Sequence, residues 1–576
     1  MFVSTIKKRL LFLGVFFTIF IFILFFIFKD IFYSNNILID FAIHPFNICE
    51  KYPDLWNFIK ITYVLFYCGV ILIISNFIYS FVFYKKEHLI NENEAPGICN
   101  TSNNSKLNLL VGKNEKGNML YIDENGLYQN ILITGTIGSG KTSSAMYPFT
   151  RQLIEYKADN KKEKLGLLIL DVKGNYYKQV QEYCEIYNRK NDLMVLSLDG
   201  SVYYNPLDKP NLKAHILANR LKTILTLFSS NNGEQYWLDK AEQILTECIK
   251  LCRLYNDSYV TFEELHKLIT IPDYYSSKIT ILRNKFLSGK LSKEDCFNLL
   301  TSIEFFEKEF LKLDSRTMAI LKSEITRITG CFVSDYQVQK IFCPSKENIN
   351  FRGFKNLISQ GKILVLNMNL AEFKNLSKIV AAYLKLDFQT EVMSRLSNNK
   401  NKFLRSVAFI SDEFHEYVTS TDADFFAQSR EAKCINIVAT QSYTSLLNTL
   451  DNQNTTKAII QNLINKLWFR TDDIFTIEDA QKQLGKEEKT KYSKTISENA
   501  KTTNFNVITK KFNSLDSNLS ESINSYSQFD YAFDTNFFTQ KLETFSCLAF
   551  LSTGNSIIPP QKIKTIPYFK NIKEVL

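Results

Sequence analysis

The sequence is poor in the residue pairs that hold metal ions. Its 11 Cys include no C-x-x-C pair, and its 5 His do not fall at ligand spacing from them. That excludes zinc ribbons and fingers as an organising site, and a disulfide framework as the source of stability. Cys248 and Cys252 lie four apart on a helical pattern and read as core thiols of a reducing compartment. Charge of one sign is scarce as well. The 69 Lys and Arg against 59 Asp and Glu leave a net +10 over 576 residues. This mild basic excess permits an anionic partner, such as nucleic acid or lipid headgroups, without requiring one. No small-x-small cleavage site follows the first apolar run, which argues against a removable signal peptide.

What the chain does have is two long uncharged runs near its start, "LLFLGVFFTIFIFILFFIF" at 10–28 and "ITYVLFYCGVILIISNFIYSFVFY" at 61–84. Each is long enough to cross a bilayer as a helix. Lys7, Lys8 and Arg9 precede the first run and Lys85 and Lys86 follow the second, whereas Lys29, Lys51 and Lys60 flank the connecting loop. The bias places both ends inside. The expectation is a multi-pass protein of the cell membrane, with a membrane anchor over 1–90, a short outward loop at about 30–60 and the remainder in the cytoplasm.

The cytoplasmic part opens on "NILITGTIGSGKTSSAMYPF". Four residues of apolar strand precede G-T-I-G-S-G-K-T, a full match to G-x-x-x-x-G-K-[ST], and small residues able to start a helix follow. Gly135, Gly138 and Gly140 let the backbone wrap so that the N–H groups of Thr136, Ser139 and Ser143 and their neighbours converge on phosphate oxygens, helped by the helix dipole. Lys141 is placed to reach the β and γ phosphates of ATP, and the Thr142 hydroxyl to join the oxygen shell of Mg²⁺.

Strand-like apolar runs recur at 131–134, 165–171, 193–199, 362–369, 407–413, 435–442, 466–471 and 547–552, separated by helical patterns. Near-continuous apolar strands of this kind belong to a parallel sheet covered on both faces. The fold class expected is α/β, a P-loop nucleotide-binding domain split into 91–208 and 346–576. Between 209 and 345 strand-like runs almost vanish, and "EQYWLDKAEQILTECIKLCRLY" sets Trp237, Ala241, Ile244, Leu245, Cys248, Ile249 and Cys252 at helical spacing. That stretch reads as an inserted all-α domain. The polar, Ser/Asn/Lys-rich stretch at 485–528 reads as a mobile surface excursion.

"VAFISDEF" at 407–414 ends an apolar strand in two carboxylates. Asp412 is the candidate for the magnesium shell, and Glu413 for the general base or water-orienting group of ATP hydrolysis. Gln441, at the end of "INIVATQS", is placed to sense the γ-phosphate or the water. Arg430, in "AQSREAKC", is a candidate arginine finger for a neighbouring subunit, with an ordinary exposed helix Arg as the alternative.

These motifs together resemble the coupling ATPases of type IV secretion and conjugation, the TraG/TraD-like class. The resemblance runs through the two apolar spans, the P-loop, "LILDVKGNYY" (168–177), "YNPLD" (204–208), "SDEFHEY" (411–417), "SRE" with "ATQS" (429–442), "LWFRTDD" (467–473) and "PYF" (567–569). It implies a membrane-anchored homo-hexamer of RecA-like ATPase subunits, each with an all-α domain. Such a ring recruits a relaxase or relaxosome bound to single-stranded DNA, or effector proteins, and feeds them to a secretion channel. Asp171, Lys173 and Gly174 match the family's Asp-x-Lys-Gly pattern, without a catalytic role for Lys173. The chain departs from some members in lacking an acidic C-terminal tail. A double-stranded DNA pump of the FtsK type would share the anchor and core but adds spans, a long linker and a winged-helix module. An ABC transporter ATPase is disfavoured because the nearest imitation of its signature, "FLSGKLS" at 286–292, lies about 120 residues before the acidic strand. A protein-substrate receptor that never handles DNA is the reading from another class.

Overall fold

Strand formation follows the apolar runs. The computed structural model describes residues 106–171, 173–228, 235–289, 291–398, 404–499, 505–506, 511–512 and 518–570. The two apolar spans expected to cross the membrane lie outside the described residues, and no helix among the described residues is long and apolar enough to cross a membrane. The strands are β1 (Asn108–Asn114), β2 (Met119–Asp123), β3 (Ile131–Thr134), β4 (Gly166–Leu170), β5 (Leu193–Leu196), β6 (Ile363–Leu366), β7 (Val407–Ser411), β8 (Cys434–Thr440), β9 (Asn465–Phe469), β10 (Lys486–Asn499), β11 (Phe505–Asn506), β12 (Lys511–Phe512), β13 (Asn518–Tyr531), β14 (Ser546–Ser552) and β15 (Ile557–Lys564).

One 11-stranded sheet has the order β2-β1-β15-β14-β9-β3-β8-β7-β4-β6-β5. From β9 to β5 all neighbours are parallel, and from β9 outward through β14, β15, β1 and β2 all are antiparallel. Alternation along each central strand feeds two cores. Leu167 and Ile169 of β4 join Ile133, Ile410 and Ile437 on one face, covered by the helices Tyr147–Glu155 and Tyr176–Ile186. Leu168 and Leu170 join Leu364, Leu366 and Phe409 on the other.

That second face carries the helical block. Between β5 and β6 the described residues form helices and no strand, from Ala214–Leu225 to Phe354–Gln360. Gln235–Tyr255 is the hub. Its Ala241, Ile244, Leu245, Cys248, Ile249 and Cys252 are buried, and it packs on Ala214–Leu225, Lys293–Glu304 and Ser315–Thr329. Trp237 is only partly buried at its edge. Every Cys among the described residues is free, and burial pushes the Cys252 thiol up to about 12, which makes it an inert core group.

Two features differ from the sequence pattern. Within the polar stretch at 485–528, where no strand-like run is legible, the described residues include a long ribbon: β10 and β13 pair residue for residue from Lys486↔Tyr531 to Asn499↔Asn518. Its Tyr492, Ile523, Tyr526 and Phe529 are all exposed, so the run carries no burial signal, and its strands are joined by the cross-strand ladder. The second is β15, whose Pro559 and Pro560 speak against a strand. They fall between Ile558, opposite Leu551, and Gln561, opposite Ala549, where the register shifts. A bulge is where a strand tolerates residues that cannot donate to the ladder.

β9 buries an ammonium group. Lys466 is 2% exposed, and burial pulls it down to about 8, with Asp479 opposing. The unfolded chain keeps this proton to about pH 10.4. Between these values the unfolded state therefore binds more protons, so stability rises with pH across the window. Lys466→Met is expected to stabilise the fold by about 1–3 kcal/mol at neutral pH, and by little near pH 10. Denaturation midpoints at the two pH values check this; an equal gain at both would show that the ammonium is not the source.

Candidate functional site

The Gly-rich loop leaves β3 between β8 and β9, and both neighbours hold it. Gly135 N–H donates to the Gln441 carbonyl at 3.2 Å, and Thr136 N–H to the Arg470 carbonyl at 2.8 Å. Ser139 Oγ closes the turn on the Thr136 carbonyl at 2.8 Å. Gly140 has φ +99°, and a Cβ there would stand 2.6 Å from the Phe545 ring, so only glycine fits. The helix that follows begins as a π turn over Thr142–Met146, with Tyr147 N–H bonded to the Thr142 carbonyl, before the α-helix Tyr147–Glu155. Pro148, which has no N–H for the Ser144 carbonyl, favours that looser first turn. Lys141 crosses the loop and donates to the carbonyls of Gly135 and Thr136. Burial lowers its pKa, while Glu413 and Asp412 pull the other way.

β8 lies between β3 and β7, so the carboxylates at the end of β7 face the start of the loop helix across one strand. Thr142 Oγ1 donates to Asp412 Oδ2 at 3.0 Å. Asp412 is buried, which raises its pKa against the pull of Lys173. Glu413 sits in left-handed backbone, φ 49°, a strained conformation of the kind found at functional sites. Its Oε1 is 2.6 Å from Lys173 Nζ, and its Oε2 accepts from Gln441 Nε2 at 3.4 Å. Burial pushes Glu413 up, but Lys173 outweighs it and the carboxyl stays below its ordinary range. His415 Nδ1 lies 3.7 Å from Glu413 Oε2; burial holds its imidazole below its ordinary pKa.

The structure thus brings Lys141, Thr142, Asp412, Glu413 and Gln441 together at the end of the parallel strands. It adds Lys173, for which sequence reasoning gave no catalytic role. The Asp171 carboxylate accepts from the N–H groups of Lys173, Asn175 and Tyr176, and this turn sets the lysine over both carboxylates. The Asp-x-Lys-Gly match was the available signal. Arg430 is not brought in: it is exposed and precedes β8, at the opposite end of the parallel strands from the loop. The seven residues of β8, at about 3.3 Å each, put roughly 23 Å between that end and the loop. The donor set at Thr142 and Asp412, a hydroxyl beside a carboxylate, is all oxygen and suits a hard cation such as Mg²⁺.

The far end of the chain closes the other side of the loop. Phe545 N–H donates to the Ser139 carbonyl at 3.1 Å, Thr565 N–H to the Phe545 carbonyl at 2.8 Å, and Tyr568 N–H to the Ser143 carbonyl at 2.9 Å. Ser144 Oγ and Thr565 Oγ1 are 2.7 Å apart. These bonds use carbonyls of the loop, not its N–H groups; of the latter, those of Gly135, Thr136 and Ser139 are already given to the Gln441, Arg470 and Thr136 carbonyls. Sequence reasoning found "PYF" only through resemblance and did not connect Phe545 with the loop.

Comparison with known proteins fits this geometry. Residues 406–523 match the family model described as the TraM recognition site of TraD and TraG, and the resemblance to the coupling proteins is borne out. No curated protein matches the chain by sequence. Among solved structures, plasmid coupling protein TrwB in complex with ADP and Mg²⁺ is similar with a TM-score of 0.53 at 11% identity, covering 82% of this chain and 98% of that one. TrwB in complex with the GTP analogue GDPNP gives 0.52 at 12%, covering 83% and 98%. The unbound monoclinic form of TrwBdeltaN70 gives 0.52 at 11%, covering 78% and 88%. At such identities the likeness establishes a shared fold.

Proposed function

We propose that this chain is a membrane-anchored P-loop ATPase that couples substrate recruitment to a type IV secretion or conjugation channel and drives single-stranded DNA, with its bound relaxase, or effector proteins into it. The observation that carries the reading is the convergence of Lys141, Thr142, Asp412, Glu413 and Gln441 within a fold shared with a conjugative coupling protein.

The loop amides from Gly138 to Ser143 cradle the phosphates, and Lys141 exchanges its bonds to the loop carbonyls for the β and γ oxygens. Thr142 and Asp412 would hold Mg²⁺, which when bound neutralises charge developing on the transferred phosphoryl group. Glu413 orients the attacking water and accepts its proton, with Gln441 fixing the second carboxylate oxygen. Lys173 keeps the two adjacent carboxylates compatible and the base ionised. The two apolar spans at 10–28 and 61–84 anchor the protein, and a hexameric ring completes the site.

Arg430 belongs to that ring. If it serves a neighbour's phosphates, mixing Arg430→Ala with Lys141→Ala chains restores activity at mixed interfaces, where one partner supplies the finger and the other the loop. Mixed rings that demonstrably form and stay inactive would remove the trans role.

The function itself is tested by the ATPase rate of the assembled protein against added single-stranded DNA at low and moderate salt. Stimulation with little sequence preference, falling steeply as salt rises, is expected of a channel that tracks phosphates. Stimulation by a relaxase or secreted protein with none by DNA would instead support the protein-receptor reading.

A further inference from the structure

The surface beside Ser143 exposes aromatic rings on a backbone that is firmly held. Tyr568 and Phe569 are 40% and 60% exposed, yet Tyr568 N–H is bonded to the Ser143 carbonyl. The Tyr568 ring stands edge-on to Tyr147 at 5.2 Å and to Phe569 at 5.4 Å. The Phe569 ring in turn meets Phe545 at 5.9 Å. Phe545 has φ 63°, a conformation bulky residues avoid, and it places its ring against Gly140. Strain of this kind persists where the surroundings over-determine it, commonly at a ligand clamp.

The direction of a bound nucleotide follows from the polar side of the loop. Lys141, Glu413 and Gln441 define the end where the γ-phosphate reacts. In a loop of this kind the γ-phosphate meets the lysine and the α and β groups lie on the loop amides, so the phosphate chain runs toward Ser143. Whatever is joined to the α-phosphate emerges over Tyr568 and Phe569. We infer that these two rings form an aromatic platform for the nucleobase of the bound triphosphate, one ring meeting the base face-on and the other, perpendicular to it, flanking the base. The inference rests on the proposed nucleotide site and adds what that reading leaves open, the subsite beyond the phosphates. Aromatic faces stack on any base and read no hydrogen-bonding edge, so the platform accepts adenine and guanine alike.

The test uses the full chain with Mg²⁺ and three probes, ATP, GTP and inorganic tripolyphosphate, measured by equilibrium binding. Wild type is expected to bind ATP and GTP within about threefold of each other, and both about tenfold tighter than tripolyphosphate. Phe569→Ala together with Tyr568→Ala is expected to bring ATP affinity down to that of tripolyphosphate, whose own binding stays unchanged. Phe569→Trp is expected to keep ATP affinity, with its emission quenched by ATP and not by tripolyphosphate. An ATP loss under about twofold in the double variant, or an equal loss for tripolyphosphate, overturns the platform while leaving the phosphate site intact. A loss seen only at concentrations where chains associate assigns the rings to a subunit contact and likewise overturns it. Binding of neither probe by wild type, with Lys141→Ala identical, overturns the nucleotide site and the platform with it.

Discussion

A chain carrying Glu413→Gln is expected to bind ATP within about threefold of wild type and to turn it over about 10²–10⁴-fold more slowly. The amide preserves the shape of the side chain, but it cannot take a proton and it gives up the charge that Lys173 faces at 2.6 Å. Lys141→Ala should behave differently. Its ammonium serves ground-state phosphates as well as the transition state, so binding and turnover fall together. Measuring equilibrium ATP binding beside steady-state hydrolysis separates the two variants, and wild-type turnover by Glu413→Gln would remove it from the proposed mechanism. The pH dependence carries a further sign. Lys173 holds the Glu413 carboxyl below its ordinary range, so the base remains ionised through neutral pH and lies in its active form until the solution is well into the acid range. Glu413 is therefore not expected to cause any loss of turnover between about pH 7 and pH 6.

The second large effect concerns stability. Asp422→Ala is expected to cost about 3–5 kcal/mol, because it strands a buried ammonium. Lys385 is fully buried and donates to the Tyr417 carbonyl at 2.7 Å, Thr419 Oγ1 at 3.1 Å and Asp422 Oδ2 at 2.5 Å. Burial pulls its pKa down while Asp422 opposes. Asp422 also accepts from Gln389 Nε2 and from Thr419 N–H, both at 2.7 Å. Removing both charges with apolar residues of similar volume, Lys385→Met with Asp422→Leu, should cost far less than the single change. Chemical denaturation followed by tryptophan fluorescence decides between them, and a double variant as unstable as Asp422→Ala would show that the charge is not the cause. The network reaches the site as well, since the Tyr417 hydroxyl bonds to Ser411 Oγ and to the Asp412 carbonyl. Loosening Asp422 therefore loosens the segment that follows Glu413.

The parallel part of the sheet is readable because burial on both faces removes polar residues from β4 and β6 and leaves few in β3, β7 and β8, where Thr134, Ser411, Asn436 and Thr440 are the exceptions, so each stands out as a mainly apolar run. β1 breaks its apolar run at Gly112, Lys113 and Asn114, β2 is five residues of mixed exposure, and β15 hides behind two prolines. None offers a burial pattern that one sequence can reveal. In the site, the residues carried by local motifs were legible: a loop, a strand end, the next strand end. Lys173 stands in the Asp-x-Lys-Gly pattern, but only the turn around Asp171 shows that its ammonium meets Glu413. Phe545 had no signal at all. It lies some 400 residues from the loop it covers, and no periodicity links the two. Arg430 shows the reverse case, a residue whose motif is clear and whose place in the single subunit is at the far end of the strands from the loop.

The closure of the loop by Phe545, Thr565 and Tyr568 also has a bearing on how the protein is made. Roughly 400 residues separate Thr142 from Phe545, and at about 5–20 residues per second a ribosome needs on the order of 20–80 s to cover them. During that interval β3 has emerged, but β14 and β15 do not yet exist, and neither Ser139 nor Ser143 has its far-end partner. The nascent chain therefore carries an unfinished phosphate cradle beside an open sheet edge. Contacts this distant along the chain also form late and slowly. On the proposed reading nucleotide capture waits for β14 and β15, and a chain cut short between β9 and β14 would leave an exposed β9 edge, open to pairing with another copy, and an unfinished loop.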